Sequence, residues 1–487
     1  MSCTTILVGR KASCDGSTMI ARTDDGSFDV KKSVVVLPKD MKKTYKSKIG
    51  RLEIPLEEGG MRYTASPSVN PEHGIWAASG INEANVGMTA TETISVNARV
   101  LGADPYVIFQ KKTGKKPEVP GGLGEEDFVV LVLPYIRSAR EGVKRLGKLL
   151  ETYGTYESNG IAFNDEKEVW WLETIGGHHW MAKRVKDEEY VIMPNRQGID
   201  AFDFADAYGK QKDHMCDRDL LDFTKRNHLN LNQGKTFNPR YAFGTSRRNA
   251  DHIYNNPRAW YIGRYFNPVS VKWEGADADY TPKDDNIPWS FVPDFKITVD
   301  DMKAILSSCY EGTVYNPYQK ADYPEKGTVR PIGINRTGVT TICQIRPYVP
   351  EKLKGIEWIT YGSNAFNTVC PVYTNAAKLP AYHSDVSLTP STENFYWASR
   401  IIECLADSCY GKAIQHIERY QFTTLAKCHE LIRLYDEKMI ETGDDSLCEE
   451  ANEKIAAMIR EETGKVLRVL LKTASENMKN GFSRADN

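Results

Sequence analysis

The sequence predicts a layered α+β fold, and two features carry that prediction. The first half is broken into short β-type runs by Gly, Asn and Asp turns, and one stretch of helical periodicity is set among them. A long helical pattern at the carboxyl end completes it. Strands, then helices, then strands again is the order of segregated layers, whereas a parallel doubly wound sheet alternates strand and helix throughout.

The runs Thr4–Val8 and Ser17–Ala21 are expected to pair as an early hairpin. Further strands are expected at Ser33–Leu37, Gly74–Ala78, Val86–Thr91, Gly160–Asn164, Val169–Thr174, Trp180–Val185 and Val191–Met193. Turn signals such as Asn164-Asp165 and Gly176-Gly177 join several of them. Within Glu125–Tyr153, Phe128, Leu131, Val132, Tyr135, Ile136, Val143, Leu146 and Leu150 recur at helical spacing, and Pro134 is expected to divide that stretch into two helices. Tyr208–Asp285 is polar and aromatic without a clear period, so excursions lining a substrate cleft are expected there. From Asn394 the chain is rich in Ala, Glu, Lys and Leu through Ile432 and again from Ser446 to Met478, which predicts packed helices. The expected division is a core of residues 1–390 and a helical region of residues 391–487 packed on it.

Composition narrows the function. Hydrophobic residues at 41% and charged residues at 26% are those of a folded soluble protein, and 487 residues suffice to enclose a deep pocket. Lys+Arg 63 against Asp+Glu 65 leaves a net charge of -2, without the basic excess that a nucleic acid partner demands. No apolar run is long enough to span a bilayer, so no membrane partner is expected. Ten cysteines are scattered without CxxC pairing, which reads as mostly buried free thiols in a reducing cytoplasm.

One cysteine stands apart by position. Loss of Met1 and Ser2 would make Cys3 the terminal residue, carrying both a thiol and a free α-amine. That amine, with an ordinary pKa of roughly 7.7–8.0, suits it to take the thiol proton near neutral pH, so one residue supplies nucleophile and base. The second run of the hairpin leads into Arg22-Thr-Asp-Asp25, which returns a guanidinium and a carboxylate beside the first strand. The guanidinium would favour thiolate and the carboxylate would hold the amine.

Cys3-Thr-Thr-Ile, Asp15-Gly-Ser-Thr-Met-Ile-Ala-Arg22-Thr-Asp-Asp25, Gly80-Ile-Asn-Glu83, Leu172-Glu173 and Gly176-Gly-His-His-Trp180 together resemble the dipeptidase A family of cysteine N-terminal-nucleophile (Ntn) hydrolases. The likeness covers most of the chain and is most specific at the amino terminus. It implies an αββα four-layer sandwich, autoprocessing to Cys3, intracellular cleavage of many dipeptides and no metal or other cofactor. Choloylglycine hydrolases share the superfamily pattern of terminal Cys, Arg-x-x-Asp and later Asn and Arg. That pattern maps onto Cys3, Arg22 and Asp25, onto Asn195 as an oxyanion donor, and onto Arg258 as the late arginine with Arg247 as its rival. The superfamily's second asparagine has no counterpart in Gly87–Thr93, which leaves the second oxyanion group open. Arg258 and acidic residues near Asp25 are the expected receivers of the substrate's charged ends.

Other signals are set aside. His178 and His179 are neighbours on a strand and point to opposite faces, so they do not share a metal; one is expected in the core and one toward the cleft. His429-Glu430-Leu-Ile-Arg433 has Arg where a zinc-protease motif needs its second His. No G-x-S-x-G elbow occurs. The expected function is therefore hydrolysis of dipeptides through a Cys3 thioester. An amidase for another small acyl amide and a non-enzymatic secernin-like protein are the alternatives, and assembly into a homo-oligomer is left open.

Overall fold

The computed structural model describes residues 3–26, 29–245 and 249–478. Two antiparallel sheets lie face to face. The first runs Ser290–Phe291, Tyr190–Met193, Thr4–Val8, Thr18–Asp24, Val339–Ile345, Gly355–Tyr361 and Cys370–Tyr373 in spatial order. The second runs His214–Cys216, His179–Val185, Val169–Ile175, Asn159–Asn164, Gly87–Thr89 and Ser79–Ile81, with Glu92–Thr93 also paired to Asn159–Asn164.

Period-two alternation sorts the strand residues into separate cores. Leu7, Ile20, Val191, Met193, Cys343 and Ile345 of the first sheet meet Ala162, Trp171, Ile175 and Met181 of the second in the space between the sheets. Their strand neighbours Ile6, Val8, Met19, Ala21, Ile192 and Ile342 turn outward and pack under helices Asn256–Phe266, Val299–Leu306, Phe395–Ser408, Tyr410–Thr442 and Leu447–Glu476. On the far side of the second sheet, Ile161, Phe163, Trp170 and Leu172 pack under Val143, Leu146 and Leu150.

Those three residues lie one helical turn apart on Ala139–Tyr153. Ser138 caps that helix by accepting the Glu141 N–H at 3.2 Å, and Gly154 ends it at φ 68°. Pro134 sits in the 3₁₀ turn Leu133–Tyr135 and separates it from the shorter helix Phe128–Val132, as the sequence predicts. The early hairpin also forms as expected, with Thr4 opposite Thr23 and Val8 opposite Met19.

One expectation is corrected. Gly74–Ala78 is not a strand: Gly74 at φ 116° and Trp76 at φ 50° break the extended run, and pairing begins only at Ser79. Tyr208–Asp285 holds regular structure, including helices Leu220–Arg226, Pro239–Phe243, Asn249–Tyr254 and Asn256–Phe266.

The carboxyl-terminal helices rest on the far edge of the first sheet. Asn452 accepts the Tyr373 N–H at 2.8 Å and donates to the Tyr373 carbonyl at 3.0 Å, while Arg346 pairs with Asp436. No described helix is long and apolar enough to cross a membrane.

Gly80 shows how tightly the second sheet is built upon, because a β-carbon there would overlap the Thr64 carbonyl oxygen. Gly80→Ala is therefore expected to destabilise the protein by about 1–3 kcal/mol, the usual cost of overpacking. The urea midpoint checks this, and an unchanged midpoint would contradict the close approach.

Candidate active site

Cys3 immediately precedes Thr4–Val8, a strand with a neighbour on each side. Alternation divides the surrounding polar residues as it divides the apolar ones. Cys3 and Thr5 share the face of Leu7, and Arg22 and Asp24 share the face of Ile20, so these four side chains turn into the space between the sheets. Thr4 and Thr23 turn toward the helices.

On the inner face, Arg22 Nη2 lies 3.0 Å from the Cys3 thiol sulfur and 2.5 Å from Glu125 Oε1. Asp24 stands 3.5 Å from the same guanidinium and 3.1 Å from Lys31 Nζ, and Lys31 also reaches Asp29 at 3.3 Å. Glu92 accepts the Thr5 hydroxyl at 2.8 Å. Cys3, Arg22, Asp24, Lys31, Glu92 and Glu125 are all buried.

On the helix-side face, Arg258 of helix Asn256–Phe266 spends all five N–H groups within the protein. It donates to the Tyr254 carbonyl (2.8 Å), the Cys3 carbonyl, Thr4 Oγ1 (2.8 Å), Asn195 Oδ1 (2.7 Å) and Asn255 Oδ1 (2.9 Å). A saturated fork holds the Cys3 backbone; it has no donor left for a substrate carboxylate. Asn195 in turn donates to the Thr93 carbonyl at 2.8 Å. Asp25 pairs with Arg330 and accepts the hydroxyls of Thr23 (3.0 Å) and Thr337 (2.7 Å). Thr23 receives the Thr4 N–H at 3.0 Å, so Asp25 is tied through it to the residue after Cys3.

The electrostatics follow from burial. Desolvation pushes the Cys3 thiol well above its ordinary range, and Arg22 pulls against it. Burial also opposes the charge on Arg22, yet Cys3, Glu125 and Asp24 more than compensate and hold it protonated. Burial raises Glu92 to about 8, opposed by Arg258, the Thr5 hydroxyl and Arg22. Arg258 is lowered to about 10 by burial and by Arg330.

The family model of peptidase family C69 matches residues 2–423. The chain belongs to peptidase family C69. Among curated proteins, it is 47% identical to a dipeptidase of Bifidobacterium longum (strain NCC 2705) over 533 residues, all of both chains. It is 46% identical to a probable dipeptidase A of Streptococcus pyogenes serotype M3 (strain SSI-1) over 491 residues, again all of both. Dipeptidase A of Lactobacillus helveticus is 42% identical over 475 residues, with 96% of this chain and 95% of the other covered.

In this family C69 chain, Cys3, Arg22, Asn195 and Arg258 come together around one strand end, and Asp25 joins them through Thr23. Arg247 lies outside the described residues. Sequence reasoning missed Glu92, Glu125, Lys31 and Arg330. Glu125 begins the acidic run Glu125-Glu126-Asp127 just before a helix, where carboxylates ordinarily serve the helix start, so its pairing with Arg22 left no local signal. His178 stands half-exposed on Asp104, and His179 is bonded to Asp217 and packed on Phe223, so neither joins the cluster.

Because Cys3 is fully buried while Cys14 and Cys404 are exposed, chains that retain Met1 and Ser2 should react with iodoacetamide at Cys14 and Cys404 and keep Cys3 as thiol. Peptide mass spectrometry reads this, and equal labelling of Cys3 would overturn the assignment of a shielded thiol. In chains beginning at Cys3, Arg22→Ala should slow alkylation of Cys3 near neutral pH by about tenfold or more, since a neighbouring cation lowers a thiol pKa by about 1–3 units. An unchanged rate would remove Arg22 from the role.

Proposed function

We propose that this chain is a dipeptidase that works as a cysteine-type Ntn hydrolase, with Cys3 as nucleophile. The observation that carries the reading is the buried Arg22 guanidinium 3.0 Å from the Cys3 sulfur. The names of the full-length relatives support dipeptides as substrates. Two facing antiparallel sheets with helices over both outer faces support the αββα sandwich. The described residues up to 390 form its core with cleft-lining segments near 208–285, and those from 391 to 478 form a helical region packed on it. Ten free cysteines support a cytoplasmic setting.

The mechanism begins with loss of Met1 and Ser2, which replaces the amide nitrogen of Cys3 by an α-amine. That amine takes the thiol proton, and Arg22 stabilises the thiolate. Sulfur attacks the carbonyl carbon of the dipeptide's first residue, and the oxygen gains negative charge as the C–S bond forms. Asn195 has a second amide N–H, beyond the one given to Thr93, to meet that oxygen. Collapse breaks the C–N bond, and the ammonium on Cys3 returns its proton to the departing amine. Water, deprotonated by the same amine, hydrolyses the thioester and restores the thiol. Arg258 and Asp25 act as positioning residues, because the first grips the Cys3 carbonyl and the second is linked through Thr23 to Thr4.

Active protein is expected to have the mass of a chain starting at Cys3, and Cys3→Ala should lose dipeptide turnover while keeping its fold. Intact mass, amino-terminal sequencing and a dipeptide assay check this. Full turnover by chains that keep Ser2 would refute the amine's role, and cleavage of bile-salt or penicillin-type amides in preference to dipeptides would favour the broader amidase.

A further inference from the structure

The α-ammonium of a dipeptide lies on the carbon next to the carbonyl that is attacked, so whatever receives it must stand beside the Cys3 thiol. Three buried carboxylates of the inner face influence that thiol: Glu92, Glu125 and Asp24. Two of them already have cations. Glu125 is 2.5 Å from Arg22, and Asp24 is 3.1 Å from Lys31 and 3.5 Å from Arg22.

Glu92 differs. Its Oε2 accepts the neutral Thr5 hydroxyl at 2.8 Å, and its Oε1, like Glu125 Oε2 and Asp24 Oδ1, is buried without a hydrogen-bond partner among the described residues; of the three, Glu92 is the one that no cation reaches at ion-pair distance among the described residues. Thr5 lies two residues after Cys3 on the same face of the same strand, which brings the Glu92 carboxyl to the thiol's side of the sheet. A buried acceptor left without a donor is costly, and a buried carboxylate without a cation more so. Burial accordingly raises Glu92 to about 8, the condition of an acid that a cation entering the site would ionise and satisfy. Glu92 also falls within Gly87–Thr93, where the superfamily's second asparagine has no counterpart.

We propose that Glu92 receives the α-ammonium of the substrate's first residue and thereby restricts hydrolysis to amides with a free amino terminus. This rests on the dipeptidase reading and deepens it. In the bound state Oε1 accepts from the ammonium while Oε2 keeps the Thr5 hydroxyl, so the carboxylate is satisfied on both sides only when an aminoacyl group is present. An N-acylated or des-amino substrate would leave that acceptor empty.

The test compares alanyl-alanine with propionyl-alanine, which lacks only the ammonium, in protein shown by mass to begin at Cys3. Wild-type kcat/KM should favour the dipeptide by about a hundredfold or more, the scale of a buried charge-assisted contact. Glu92→Gln should erase most of that preference, mainly through KM for the dipeptide, while propionyl-alanine cleavage loses no more than a few-fold and iodoacetamide labelling of Cys3 does not slow, since losing a carboxylate that holds the thiol pKa up cannot hinder its ionisation. Equal losses on both substrates would overturn the proposal, because Glu92 would then serve the enzyme's own amine or the oxyanion. Retention of the full preference by Glu92→Gln would overturn it as well. Glu92→Asp keeps the charge but withdraws it by one methylene, and should raise KM for the dipeptide alone; this arm decides the matter if the Gln variant does not fold, and equal effects on both substrates again overturn the proposal. Wild-type protein that cleaves no dipeptide would instead sink the dipeptidase reading itself.

Discussion

A guanidinium sealed between two sheets is the constraint from which the site is built. Arg22 is 1% exposed and touches the Cys3 sulfur, and a charge in such a place is tolerated only when it is paired. Glu125 pairs it from outside the strand, and Asp24 shares it from the same strand. Asp24 then needs Lys31, and Lys31 draws in Asp29. One choice, a cation beside the thiol, thus fixes a chain of alternating charges reaching toward the surface. Neighbouring sheets stack about 10 Å apart, which leaves room for long side chains to meet end to end in such a network.

The opposite face of the same strand carries the complementary task. Arg258 grips the Cys3 carbonyl and Thr4, and its other contacts fix Asn195 and Asn255. Asp25 and Arg330 form a second buried pair one layer away. The charge network around the thiol thus lies on the inner face, and the grip on the Cys3 carbonyl lies on the outer one. Preorganised geometry of this kind is what the proposed nucleophile needs if the barrier is to be lowered by orientation.

Much of this was legible because it is local. The hairpin Thr4–Val8 with Thr18–Asp24 brings Arg22 beside Cys3 by register alone, and the resemblance supplied Asn195 and Arg258. Partners recruited across long sequence separations were not legible. Glu125 and Arg330 belong to segments whose local meaning is a helix start or a loop, and their roles exist only once the sheets are stacked; Lys31 follows Asp24 closely in sequence, but in a loop whose return to that carboxylate has no local signal. The strands Val339–Ile345, Gly355–Tyr361 and Cys370–Tyr373 escaped for a related reason. Both faces of each are buried, so Thr341, Gln344 and Glu357 interrupt any polar alternation while remaining inside. Gly74–Ala78 failed in the other direction, since a run of suitable residues was overruled by backbone at positive φ.

The amide of Asn452 on Tyr373 has a consequence for how copies of the molecule can meet. An outer strand offers its free N–H and C=O groups as a template for another chain. Here a side chain from the last helix imitates one residue of a neighbouring strand, donating and accepting where an added strand would. The other border of that sheet is Ser290–Phe291, only two residues long. The sheet that holds Cys3 is thus blunted at both borders, and association by sheet extension, with the amyloid-like growth it invites, is designed against by one asparagine and one short strand.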